Sequence, residues 1–171
     1  MAYETIVATN MAIAVLFALS LNVITGLCGQ ISLGHAAFLG IGAYTSALLT
    51  MAGWPLSVSL VPAATMAGAV GFVVGLASLR VRHDFLAITT MGVAFLFIGI
   101  VRKQDALGGE IGLSGIPAPE FGRQGLLVLS VACAAGYAVL AAVLKRSWMG
   151  FAFESIADDE DTARLLGIDV A

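Results

Sequence analysis

"TIVATNMAIAVLFALSLNVITGLCGQISLGHAAFLGIGAYTSALLTMAGWPLSVSLVPAATMAGAVGFVVGLASL", residues 5–79, contains no Asp, Glu, Lys or Arg. A run of that length is enough for about three membrane spans of roughly 20 residues each, and no soluble core helix needs it. The rest of the chain agrees: of 171 residues, 60% are hydrophobic and only 11% charged, far from the mix of a soluble domain. A cleaved signal peptide would show a basic start and one short apolar core. Met1 to Glu4 carries no basic residue, and the apolar run continues well beyond that length. The composition therefore describes a membrane protein, and no removable leader is expected in this start.

Working outward, apolar runs fall at Thr5 to Leu27, Ile31 to Met51, Ser57 to Leu79, Phe85 to Val101 and Gly125 to Leu144, which predicts about five spans. The breaks are Gly53 to Pro55, the Arg-Val-Arg-His-Asp run of Arg80 to Asp84, and a loop rich in glycine and proline from Asp105 to Gln124. Hydrocarbon offers the backbone no hydrogen-bond partner, so each span must satisfy itself, and these runs lack the apolar and polar alternation of a barrel strand. The expected fold is all-α, a polytopic transmembrane helix bundle over residues 1–144 followed by a separate charged segment over 145–171.

The last apolar run ends in Lys145 and Arg146, and cytoplasmic loops carry the excess of basic residues. Residues 145–171 are therefore expected inside and the Asp105 to Gln124 loop outside. Alternation then puts Arg80 to Asp84 inside, Gly53 to Pro55 outside, Cys28 to Gln30 near the inside and Met1 outside. Arg102 and Lys103 would sit at the outer end of the fourth span, beside Asp105 and Glu110.

Within the uncharged run, Gln30, Ser32 and His35 are conspicuous. Read as a helix, Ser32, His35, Leu39, Gly42 and Ser46 recur at steps of three and four and form one stripe of mostly small or polar residues. Such a stripe does not favour lipid. Either it lines a translocation route, with Gln30 a further candidate for that path, or Ser32 and His35 bond to a neighbouring helix while the glycines permit close approach. Gly26, Gly29 and Gly34 also allow a broken or re-entrant start in place of a straight helix, which is tolerated only inside protein. In the third run Ala67, Gly71 and Gly75 stand four apart on one face, a helix-packing signal that implies a compact bundle and contact with a second membrane subunit.

Several classes of function are disfavoured. A net charge of −3 with eight scattered basic residues gives no electrostatic footprint for nucleic acid. Cys28 and Cys133 stand alone, and His35 and His83 have no ligand partners at useful spacing, so no metal site is expected. There is no Gly-x-x-x-x-Gly-Lys-Ser/Thr phosphate loop, so ATP binding by that device must come from another chain. No catalytic set can be argued, and His83 and Asp84 beside Arg80 and Arg82 read as a cytoplasmic anchor. No cofactor is expected.

Three segments in order, "GLCGQISLGHAAFLGIGAYTSALL" (Gly26 to Leu49), "LRVRHDFLAITTMG" (Leu79 to Gly92) and "GLSGIPAP" (Gly112 to Pro119), resemble the membrane permease subunit of branched-chain amino-acid ABC importers, its M-type member. The resemblance covers essentially the whole chain. It implies a transport subunit and not an enzyme, in the bacterial inner membrane. It also implies partners: separate ATP-binding subunits, a second, H-type permease subunit and a periplasmic substrate-binding protein. Leucine, isoleucine or valine is the implied cargo, while related systems carry amides or urea. Family permeases continue with further spans, so a chain stopping at Ala171 is expected to be a partial permease.

The tail "GFAFESIADDEDTARLLGIDVA" (Gly150 to Ala171) holds six of the eleven acidic residues. Glu160, Asp161, Thr162, Ala163, Leu166 and Gly167 resemble the cytoplasmic loop in which a short helix of ABC permeases docks into a groove of the ATPase. The residues agree with that: Asp158 to Asp161 bring negative charge to a helix N-terminus, Ala163, Leu165 and Leu166 supply a short apolar surface, and Gly167 is a natural stop. A solvated loop without a partner is the alternative. Family members often carry basic residues early in this loop, where this chain has Glu154 and Ala157. The leading expectation is a permease subunit alternating between outward- and inward-open forms under ATP-driven closure of its partners. The rival is a stand-alone channel or secondary transporter, for which residues 5–79 offer no intramembrane charge to couple an ion.

Overall fold

Each apolar run holds a helix in the computed structural model, which describes residues 2–78, 83–165 and 167. The helices are α1 (Ala2–Asn22), α2 (His35–Met51), α3 (Leu56–Ser78), α4 (His83–Lys103), α5 (Gly122–Lys145), α6 (Trp148–Asp158) and α7 (Glu160–Leu165). A π-helical turn, Val23–Leu27, extends α1, and a 3-10 turn, Asp105–Leu107, follows α4. Among the described residues there is no strand. The fold is all-α, and the protein is a multi-pass membrane protein.

Among the described residues four helices are long and apolar enough to cross a bilayer: Tyr3–Leu27, Leu56–Ala77, Leu86–Lys103 and Gly122–Lys145, with 25, 22, 18 and 24 residues. At about 1.5 Å per residue the longest of these cover the roughly 30 Å of hydrocarbon with length to spare. The run expected as the second span, Ile31 to Met51, is helical only from His35. Its 17 residues make about 25 Å of helix, short of the hydrocarbon thickness. The shortening has a backbone cause. Gly29 takes φ +65 and ends the preceding turn; residues 30–34 are then non-helical, and Gly34 caps α2 at φ −97, ψ 1.

The chain divides into two compact units, residues 1–31 with 121–171, and residues 32–120. In the first, α1 packs along α5, and α6 lies against the π-helical turn. Gly29 is where these last two meet: a Cβ there would come within 2.8 Å of the Ala157 Cβ. In the second unit the four-residue break after Met51 returns α3 antiparallel to α2, and α4 packs on α2. Ser59 is fully buried between α2 and α3. Its hydroxyl donates to the Leu56 carbonyl at 2.9 Å. One hydroxyl has one proton to give, so Ser46 is the donor in the 3.2 Å Ser46 to Ser59 bond.

Because α5 is the one candidate span between residues 115 and 159, reporter fusions at Gly115 and Asp159 should read opposite compartments, with Asp159 cytoplasmic. Identical readouts would remove α5 as a span.

Candidate functional site

The three quoted motifs converge on α2 within the second unit. At its N-terminal end the backbone N–H of Leu33 donates to Thr90 Oγ1 at 3.1 Å, and that hydroxyl donates to the Ala87 carbonyl at 3.0 Å. A Cβ on Gly34 would sit on the Thr90 carbonyl, so the absence of a side chain is what lets the chain pass α4 here. Further along, Tyr44 stacks edge-on against Phe97 of α4, with ring centroids 5.9 Å apart. A Cβ on Gly112 would meet the Tyr44 hydroxyl at 3.8 Å. The loop that brings Gly112 there is tightly wound: the Gly112 N–H donates to the Gly108 carbonyl at 3.1 Å, and Gly108, at φ +83, has no room for a Cβ beside the Gly112 carbonyl. The motifs thus touch α2 at two places: Thr90 packs on the backbone at residues 33 and 34 before its first turn, and Phe97 and Gly112 pack on the Tyr44 ring further along.

The candidate path residues do not share one environment. Gln30 belongs to the first unit, and its N–H donates to the Ile24 carbonyl at 3.2 Å. Ser32 precedes α2, so it is not on the helical stripe, which begins at His35; the glycine-controlled stop described above is the reason. His35 is the first residue of α2 and half-buried, and Leu39 is 49% exposed. Gly42 and Ser46 face α3: a Cβ on Gly42 would meet the Ala63 carbonyl and the Ala67 Cβ, both at 3.8 Å, and Ser46 bonds to Ser59. Of the packing residues, Ala67 thus faces Gly42, Gly71 faces the Phe38 ring at 3.8 Å, and a Cβ on Gly75 would meet nothing within 4 Å among the described residues.

The charged tail forms a helix pair. Ser147 caps α6, accepting from the Gly150 N–H at 3.3 Å. Asp159 separates α6 from α7 and caps the latter: its carboxylate accepts from the Thr162 N–H at 3.4 Å and from the Thr162 hydroxyl at 2.7 Å. Ala163 is 1% exposed. Glu160 and Asp161 open α7, but their side chains lie outside the described residues, as do Leu166 and, of the basic anchor, residues 80–82. Gly167 stands in a turn at φ +83 with nothing within 4 Å.

Sequence reading missed Thr90, Ser59, Phe97 and the π-helical turn. Thr90 and Ser59 are hydroxyls in apolar helices whose partners lie 57 and 13 residues away, and no local pattern announces such pairs. Asp159 could have been found, since Asp-x-x-Thr at the start of a short helix is a capping pattern.

A family model described as the permease component of branched-chain amino acid transport systems matches residues 5–171. The high-affinity branched-chain amino acid transport system permease protein LivM of Escherichia coli (strain K12) is 40% identical to the chain over 124 residues, 68% of this chain and 29% of the relative. LivM of Salmonella typhimurium (strain LT2) is 39% identical over the same shares. The chain thus spans about 29% of the length of the curated relatives it matches. No solved structure matches.

Proposed function

Because this chain belongs to the family of permease components of branched-chain amino acid transport systems, we propose that it is part of the membrane subunit of an ABC importer for branched-chain amino acids. Separate ATP-binding chains drive it between outward- and inward-open forms. A second permease subunit completes the pathway, and a periplasmic binding protein delivers the amino acid. The membrane is the bacterial inner membrane. The observation that carries this reading is the match over residues 5–171, which runs unbroken from the first span through the α6 and α7 pair.

Residues 1–144 act as the membrane-spanning part and 145–171 as the coupling segment. In the spans, Gly42 and Ser46 are taken up by α3, as are Ala67 and Gly71 by α2. The translocation path therefore runs by the first turns of α2, where Leu39 is exposed and His35 half-buried, with Gln30 and Ser32 in the non-helical segment before them. Non-helical backbone at a span's end is tolerated where it lines a cavity or lies in protein. In the tail, Glu160, Asp161, Thr162, Ala163, Leu166 and Gly167 form the contact with the ATPase, a short helix in a groove.

The test is co-purification followed by transport. The intact permease should bring down a P-loop ATPase, and uptake of labelled leucine into proteoliposomes should require that ATPase and ATP. Leucine transport by the permease reconstituted without any ATPase would overturn the proposal in favour of a channel or secondary transporter.

A further inference from the structure

The corner between α5 and α6 holds an exposed aromatic surface that lies outside the ATPase contact proposed for Glu160 to Gly167. Trp148 is 76%, Met149 51% and Phe151 62% exposed, three of the first four residues of α6. Lys145 and Arg146 stand just before them, with Ser147 between. The corner is tightly built. Ser147 Oγ donates to the Leu144 carbonyl at 2.6 Å and accepts from the Gly150 N–H at 3.3 Å. A Cβ on Gly150 would run into the Leu144 and Lys145 carbonyls. Glycine is therefore required for α6 to turn away within a residue or two of the end of α5.

We propose that this corner is a membrane-interface anchor, with Trp148, Met149 and Phe151 seated at the headgroup and acyl boundary and Lys145 and Arg146 on the phosphates of anionic lipid. Depth is the first argument. The span α5 ends at Lys145, so the first turn of α6 emerges at the bilayer surface, where tryptophan is favoured for its apolar ring and polar N–H. Continuity is the second. Val139, Leu140 and Val143 on α5 are exposed apolar residues of the span itself, so apolar exposure continues along the chain from the span to Trp148. Charge is the third. Cytoplasmic leaflets are anionic, and Lys or Arg side chains near that surface are attracted to it. A groove on a soluble ATPase would explain the aromatic rings but not their place at the end of a span. Anchored here, α6 lies along the interface and the position of α7 is set relative to the bilayer.

The experiment uses Trp54→Phe protein, in which Trp148 is the remaining tryptophan of this chain, in phosphatidylcholine nanodiscs with and without phosphatidylglycerol. Trp54→Tyr serves if the first variant does not fold. Quenching is measured with lipids carrying a spin label either high or deep on the acyl chain. The shallow label should quench about twofold more than the deep one, as for a ring seated at the interface. Phosphatidylglycerol should increase this quenching, and Lys145→Gln with Arg146→Gln should abolish the increase. ATPase subunits should leave it unchanged. Absence of quenching by lipid-borne labels, stronger quenching by the deep label, insensitivity to phosphatidylglycerol, or loss of quenching when ATPase is added would each overturn the anchor, the last in favour of a protein-docking surface.

Discussion

Gly34→Leu is expected to eliminate the folded protein, and Gly34→Ala to lower its melting temperature by many degrees. A Cβ at residue 34 falls on the Thr90 backbone carbonyl, and a carbonyl inside α4 cannot rotate aside as a flexible side chain would. Overpacking of a tight contact costs about 1–3 kcal/mol even where neighbours can shift. Separating the two segments would also break the bond from the Leu33 N–H to Thr90 Oγ1, a further loss of about 1 kcal/mol. Against a total stability of about 5–15 kcal/mol, alanine weakens the unit and leucine, with three more carbons to place, exceeds what it tolerates. Gly68→Ala and Gly99→Ala are the controls: both glycines lie within helices and a Cβ at either meets nothing within 4 Å. The measurement is the monodisperse fraction of detergent-solubilised protein after heating. A Gly34→Leu protein melting with the wild type would show that Gly34 and Thr90 are not in contact.

That contact marks where sequence reading stops. The apolar runs, their breaks and the all-α fold follow from composition, because hydrocarbon leaves the backbone few choices. The start of α2 does not. A spacing of three and four carried Ser32 onto the helical stripe, while the chain ends its preceding turn at Gly29 with φ +65 and begins α2 only at His35. Glycine permits a left-handed residue without requiring one, and the choice is made by Thr90, far along the chain. The stripe itself illustrates the same limit. Small and polar residues serve a path and a helix contact equally well; what places Gly42 and Ser46 against α3 is the matching row of Ser59, Ala63 and Ala67 on the facing helix. The tail was more readable. Its acidic run and its glycine are local signals for a helix start and stop, and residue 159, one of four candidates, became the cap because its carboxylate reaches both the N–H and the hydroxyl of Thr162.

Gly167→Val and Glu160→Lys are each expected to abolish uptake by the intact transporter while leaving membrane insertion unchanged. Residue 167 has φ +83, a conformation that costs a residue with a Cβ about 1–2 kcal/mol and a β-branched residue more. Among the described residues nothing lies within 4 Å of a Cβ there, so the substitution acts through the backbone turn and whatever docks on it. Asparagine visits the left-handed region readily, and Gly167→Asn should therefore retain more uptake than Gly167→Val. Glu160 opens α7, where reversing its charge opposes the helix dipole by about 0.3–1 kcal/mol. Losses of this size are minor beside the burial of four apolar spans in lipid, which is why insertion should survive. At an interface that must form and break in each cycle, about 1.4 kcal/mol is a tenfold change in occupancy. The readout is ATP hydrolysis and leucine uptake in proteoliposomes holding permease, ATPase and binding protein, with uptake expected to fall about tenfold or more on that scale. Normal substrate-stimulated hydrolysis and uptake in both Gly167→Val and Glu160→Lys would reduce the segment from Glu160 to Gly167 to a solvated tail and remove it from the coupling pathway.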